Sequence, residues 1–188
     1  MRTAAILGLC VLAAIAYGIA LDQVTARVCV EYFTIGHPPI FGTEDPTLLA
    51  FGWGVVATWW VGLGLGIPLA IASALGPGPR RDARSLLRPI ASLMAVVYVL
   101  AALSGLAGYL LARSGSIRLV EPLASSIDPA RHPRFLADLW AHLASYAVGF
   151  VGGWIVIVRV YLSRRRLGTA VGLSSPPAGA GAADRRTP

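Results

Sequence analysis

The side chains of this sequence best suited to chemistry are three histidines and an aspartate that stands close to the last of them. Asp138 and His142 are four positions apart, so on a helix they share one face, and Tyr146 continues that face by another turn. The other two histidines, His37 and His132, each precede a long apolar stretch. This spacing predicts a carboxylate, an imidazole and a phenol in one stripe at the start of a helix.

Two interpretations of this polar group stay open. A transition metal such as Zn²⁺ binds imidazole nitrogen and carboxylate oxygen, usually with four ligands. If the two outer loops meet, a metal site or a proton-handling site would consist of His37, His132, Asp138 and His142. The structural alternative has the histidines and Tyr146 among lipid head groups and Asp138 as the cap of its helix. No close-spaced ligand motif such as HExxH is present, which favours the structural interpretation.

Four long apolar stretches must position these residues, and they predict helices at about 3–21, 48–75, 89–112 and 139–162. Each is long enough, at ~1.5 Å of rise per residue, to cross ~30 Å of hydrocarbon. Their interiors lack charged residues apart from Arg159 near one end. Only 13% of the chain is charged, against about 25% in a soluble domain. The sequence therefore predicts an all-α integral membrane four-helix bundle whose two outer loops are irregular.

The chain divides into a transmembrane domain, residues 1–166, and a tail rich in Gly, Ala, Ser and Pro, residues 167–188, which is predicted to be disordered and cytoplasmic. Small residues recur every four positions within the apolar stretches, a spacing that lets helices approach closely in lipid. One such face in the last helix consists of Ala141, Ser145, Gly149 and Gly153. We expect this face to contact another helix, and Pro68 to kink the second helix.

Arginine supplies all sixteen basic residues, and its distribution predicts the orientation. Cytoplasmic loops carry an excess of arginine. The side with both termini and the second loop holds eleven: Arg2, Arg80, Arg81, Arg84, Arg88, Arg159, Arg164, Arg165, Arg166, Arg185 and Arg186. The other side holds five: Arg27, Arg113, Arg118, Arg131 and Arg134. Both termini are therefore predicted to be cytoplasmic, with the arginines against the anionic lipids of the inner leaflet.

Several other functions are disfavoured by the same patterns. The isoelectric point of about 10.2 does not indicate nucleic-acid binding, because the arginines lie beside the apolar stretches. Cys10 and Cys29 form neither a CxxC motif nor a disulfide framework. The apolar stretches carry no midplane charge for ion-coupled transport. The first stretch also fits a secretory signal ending at Ala14-Ile15-Ala16, although its continuation to Leu21 favours an uncleaved helix.

Two segments carry a resemblance to known sequences, Glu31–Pro38 (EYFTIGHP) and Trp140–Tyr146 (WAHLASY). They resemble segments of an uncharacterised family of bacterial four-span inner-membrane proteins with no known activity, and the similarity covers most of the chain except the tail. The resemblance implies a bacterial inner membrane and transfers no catalytic residue.

We therefore expect a non-enzymatic multi-pass membrane protein, a scaffold or sensor that acts through its outer loops. Its partners are the lipid bilayer and either another membrane protein or a second copy of the chain. The alternative is a metal-binding protein or metal-dependent membrane enzyme whose cofactor is a divalent transition metal, with the ligands His37, His132, Asp138 and His142.

Overall fold

The computed structural model describes residues 2–76 and 78–174, and these residues form helices and loops without a β-strand. The elements are α1 (Arg2–Val28), α2 (Glu31–Thr34), α3 (Pro46–Val56), α4 (Trp59–Ala74), α5 (Ala83–Arg113), α6 (Leu123–Ser126), a 3₁₀ turn (Pro129–Arg131) and α7 (His132–Ser174). Among the described residues, four segments are long and apolar enough to cross a membrane: α1, α3 with α4, α5, and the 3₁₀ turn with α7 as far as Thr169. The prediction of four such helices is confirmed.

The helices extend further than the apolar stretches that predicted them. α1 continues past Leu21 to Val28, because Asp22 and Thr25 lie on its buried face and do not begin a loop. α5 begins at Ala83, where the side chain of Asp82 accepts a hydrogen bond from the backbone N–H of Ser85 at 2.9 Å. Such a cap starts a helix at a polar residue that hydropathy cannot detect.

The last helix is also longer than the predicted 139–162, because α7 spans His132–Ser174. Asp138 therefore lies within the helix, and its predicted role as the N-terminal cap is wrong. The predicted tail began at residue 167, whereas the helix continues to Ser174. The rest of that tail, residues 175–188, lies outside the described part of the chain.

The second predicted helix, 48–75, is divided into α3 and α4 at Ala57 and Thr58, whereas Pro68 lies inside α4. Two side chains donate hydrogen bonds to backbone carbonyls at this break. The hydroxyl of Thr58 donates to the carbonyl of Gly54, and the hydroxyl of Tyr146 donates to the carbonyl of Ala57 at 3.2 Å. A helix interruption in a membrane segment needs such partners because lipid offers none.

Most of the small residues lie where two helices approach closely, as predicted, but Gly149 does not. A Cβ atom on Gly153 would lie 2.7 Å from the side chain of Leu65, and one on Gly105 would lie 3.3 Å from that of Ala141. A Cβ atom on Gly149 would meet nothing within 4 Å. Gly149 instead lines a cavity between the helices, and its predicted contact with another helix is wrong.

The bundle has two packed ends, which we name after a residue at each. At the Arg164 end, the buried guanidinium of Arg164 donates to five backbone carbonyls in the last turn of α4 and in the segment after it: Ala72, Leu75, Gly76, Gly78 and Pro79. At the His142 end, residues 29–45 and 114–131 pack onto the helices through one cluster of buried apolar side chains. We call these two segments the cap.

Candidate functional site

The central feature of the His142 end is a contact between α1 and α7. The imidazole Nε2 of His142 lies 3.0 Å from Oδ1 of Asp22, and only 4% of Asp22 is exposed. The other ring nitrogen of His142, Nδ1, lies 2.7 Å from the backbone carbonyl oxygen of Asp138. Both imidazole nitrogens therefore face oxygen atoms.

This geometry fixes the number of protons in the pair. A carbonyl oxygen only accepts hydrogen bonds, so Nδ1 of His142 must carry a proton and donate it. A second proton must then lie between Nε2 and the Asp22 carboxyl group, because two acceptors at 3.0 Å would repel. Either His142 is an imidazolium beside a carboxylate, or a neutral His142 accepts the hydroxyl of a protonated Asp22. The contact requires one shared proton in both cases.

Aromatic rings of the cap cover this pair. The ring of Tyr32 stacks on that of His142, with centroids 4.6 Å apart and an angle of 28°. On the other side, His37 contacts Tyr32 at 4.9 Å and Trp53 at 4.6 Å between centroids. Nδ1 of His37 donates to the carbonyl of Tyr32 at 2.7 Å, which orients the His37 ring. His37 and His142, both predicted site residues, thus belong to one aromatic cluster.

His132 has a different role. Its Nε2 lies 3.1 Å from the carbonyl oxygen of Ala124 and 3.0 Å from that of Ile127, so it donates to both. These bonds hold the end of α6 to the start of α7. Among the described residues, no hydrogen bond or ring contact joins His132 to the other predicted ligands. The site residues predicted from sequence are therefore only partly brought together.

Asp138 is buried among the cap residues, with 1% of its surface exposed. Its Oδ2 atom has no hydrogen-bond partner in the described part of the chain. Within that same part, no group of three or more His, Cys, Asp or Glu side chains is placed to hold a metal ion. Metal binding by His37, His132, Asp138 and His142 stays a prediction.

A second polar contact in the cap involves a thiol. The thiol of Cys29 donates to Oε2 of Glu31 at 3.3 Å, and Glu31 also pairs with the guanidinium of Arg131 at 3.4 Å. Burial, followed by the hydrogen bond to Glu31 and the charge of that carboxylate, raises the pKa of the Cys29 thiol from 9.0 to about 12. Burial likewise raises the pKa of the Tyr32 phenol. Both groups are therefore uncharged at neutral pH.

Asp22 is the site residue that the sequence does not predict, because a charged residue directly after the apolar stretch 3–21 indicates the start of a loop. Helical spacing gives one signal that would have found it. Gly18, Asp22 and Thr25 recur at intervals of four and three, and all three are buried. The pairing with His142, 120 positions away along the chain, has no signal in the sequence.

Comparisons with known proteins add no family to this description. No protein-family model, curated protein or solved structure matches the chain.

Proposed function

We propose that this chain is a multi-pass protein of a bacterial inner membrane with both termini in the cytoplasm. The excess of arginine on the side of the Arg164 end supports this orientation. The bacterial inner membrane is the location that the sequence resemblance of segments Glu31–Pro38 and Trp140–Tyr146 implies. The His142 end with its cap would then face the periplasm.

We further propose that the protein is a non-enzymatic sensor in which the cap is the responsive part. The observation that carries this proposal is the proton-bridged contact between Asp22 and His142, beneath the buried rings of Tyr32 and Phe33. The contact joins α1 to α7, and its partners pack directly against the cap. A change at this contact would therefore move both the cap and two membrane helices.

The signal that fits the contact is the proton itself. When the shared proton leaves, two hydrogen-bond acceptors face each other and the link between α1 and α7 is lost. Other titratable groups on α1, α2, the loop after α2 and α7 influence the charge of this pair. Those that face it are Tyr17, Tyr32, His37, Asp138 and Tyr146, and Glu31 lies near Asp138.

The test uses a native reporter, the buried thiol of Cys29 within the cap. In a Cys10→Ala background, the rate of Cys29 alkylation measures opening of the cap. The matched variant is Asp22→Asn, whose amide N–H donates to Nε2 of a neutral His142 without a shared proton.

We expect the alkylation rate of the Asp22 protein, divided by that of Asp22→Asn, to rise from mildly acidic to alkaline pH. Ionisation of the thiol is common to both proteins and cancels in the ratio. A ratio that stays constant with pH would refute proton sensing by this pair.

One observation favours the metal-binding alternative, namely the buried and unpartnered Oδ2 atom of Asp138. Carboxylate oxygen and imidazole nitrogen are ligands of divalent transition metals. The alternative requires that purified protein retain a stoichiometric metal and that Asp138→Asn and His142→Gln both lower this content. Metal analysis that finds equal background levels in all three proteins would exclude it.

A further inference from the structure

We infer that the interior of the bundle is a binding site for an uncharged, mostly apolar small molecule with one hydrogen-bonding head group. A cavity of 120 Å³ lies between α1, α4, α5 and α7, directly beneath the Asp22–His142 contact. The inference goes beyond the proposed sensing role and depends neither on that role nor on the orientation in the membrane.

The walls of the cavity define the body of the ligand. Most of the lining side chains are apolar, among them Leu65, Ile90, Leu93 and Val97. A cavity of about 150 Å³ with similar walls stays dry and binds benzene. The apolar part of the cavity therefore suits a small ring or a short chain better than a cluster of waters.

The polar groups of the cavity define the head of the ligand. Asp22 and His142 line the cavity at the His142 end of the bundle. The hydroxyls of Tyr17 and Ser145 line it as well and hydrogen-bond to each other at 2.7 Å. Asp22 and His142 are the acid and base among the described lining residues, and they neutralise each other when they share a proton. An ion would enter without a counter-charge, which is costly in an apolar site. A hydroxyl head group would find an acceptor in the Tyr17 oxygen, because the Ser145 hydroxyl donates to the carbonyl of Ala141 and Tyr17 therefore donates to Ser145.

One lining residue of the cavity, Tyr146, also lies on the outer surface of the bundle. Tyr146 lines the cavity, yet 41% of its surface is exposed beside the break between α3 and α4. Trp60, which is 53% exposed, stacks on Tyr146 with centroids 6.3 Å apart. Because Tyr146 lines the cavity and is also exposed on the apolar flank of the bundle, we expect a molecule dissolved in lipid to enter beside it.

Loose packing does not explain the cavity, because neighbouring glycines are tightly packed. A Cβ atom on Gly62 would lie 2.6 Å from the carbonyl oxygen of Cys10, whereas one on Gly149 would meet nothing within 4 Å. Gly149 thus keeps the space open. Substitution of Gly149 by leucine would place a side chain in the cavity without moving a backbone.

The test is photolabelling of the full chain in lipid nanodiscs with a diazirine-bearing benzyl alcohol, a neutral probe of the inferred class. Mass spectrometry separates labels on the cavity-lining residues of α1 and α7 from labels on lipid-facing residues. We expect cavity labelling to be competed saturably by 4-methylphenol, less well by toluene, and not by the anion benzoate. Tyr17→Phe removes a hydroxyl oxygen that can accept a hydrogen bond from the head group, so it should weaken competition by 4-methylphenol roughly threefold to tenfold.

The cavity-filling variant Gly149→Leu should abolish the competed labelling. The matched control is Gly64→Leu, since Gly64 is exposed, lies outside the cavity and also has open space at its Cβ position. If Gly149→Leu fails to fold, Gly149→Ala fills less of the same space and should reduce the competed labelling. Labelling that is not competed, or that is equal in the Gly149 and Gly64 variants, would overturn the inference. Equal competition by benzoate and 4-methylphenol would also overturn it.

Discussion

Replacement of Arg164 by methionine removes the group that holds the chain after α4 against α7. The guanidinium donates to five backbone carbonyls, of which those of Ala72 and Gly78 belong to buried residues. The other three belong to exposed residues, where water replaces the lost donor. A buried acceptor left without a donor costs ~1–3 kcal/mol, so two of them cost about 2–6 kcal/mol. Because methionine keeps some apolar packing, we expect a loss of about 3–4 kcal/mol.

The measurement is the free energy of unfolding in bicelles by steric trapping, compared with the matched variant Arg165→Met. Arg165 is exposed, and its guanidinium lies 5.8 Å from the ring centroid of Tyr161. The control removes the same charge from the next position, and we expect it to cost less than ~1 kcal/mol. Equal losses in the two variants would show that Arg164 acts only as a positive charge and would refute the reasoning from its hydrogen bonds.

Three further predictions follow from other parts of the molecule. Reporter fusions at Arg166 should give a cytoplasmic signal and fusions at Ser125 a periplasmic one; the reverse pattern would refute the proposed orientation. Gly62→Ala should lower the free energy of unfolding by about 1–3 kcal/mol, because its new methyl group meets backbone atoms, whereas Gly64→Ala should be neutral or slightly stabilising; equal effects would contradict the close helix contact. Because the pKa of Cys29 rises from 9.0 to about 12 on folding, its contribution to stability is present below pH 9 and lost as the pH rises towards 12. Cys29→Ser should therefore lose less stability than the parent over this pH range, and parallel pH profiles would refute the assignment.

The sequence predicts the four long helices because lipid demands apolar side chains along the whole length of a spanning segment. The sequence does not predict where these helices end, because the length of their last turns depends on which hydrogen-bonding partners the polar side chains find. Asp22, for example, has the character of a loop residue, and only its contact with His142 explains why it lies within α1. Proline does not predict the helix break. No proline lies at Ala57 and Thr58, where the helix is interrupted, whereas Pro68 lies inside α4.

The candidate site was predicted in part, for a related reason. The spacing of Asp138 and His142 correctly indicates one helix face, but His142 bonds to the backbone carbonyl of Asp138 and not to its carboxylate. In the sequence, Arg164 is one of eleven arginines predicted on the same side of the membrane. Only the structure shows that it bonds to five backbone carbonyls. Gly149 follows the same four-residue spacing as Gly153, yet only Gly153 contacts another helix. Local spacing identifies a face, and only tertiary packing identifies what that face meets.

Asp22 and His142 share a proton across the contact between α1 and α7, and the proposed function depends on this proton. Nitrogen-15 NMR of the full chain, labelled only at histidine and held in nanodiscs, measures this directly. We expect Nε2 of His142 to shift strongly in Asp22→Asn, while the ring nitrogens of His37 and His132 keep their positions in the same spectrum. A His142 signal as insensitive to the substitution as the other two would contradict the claim.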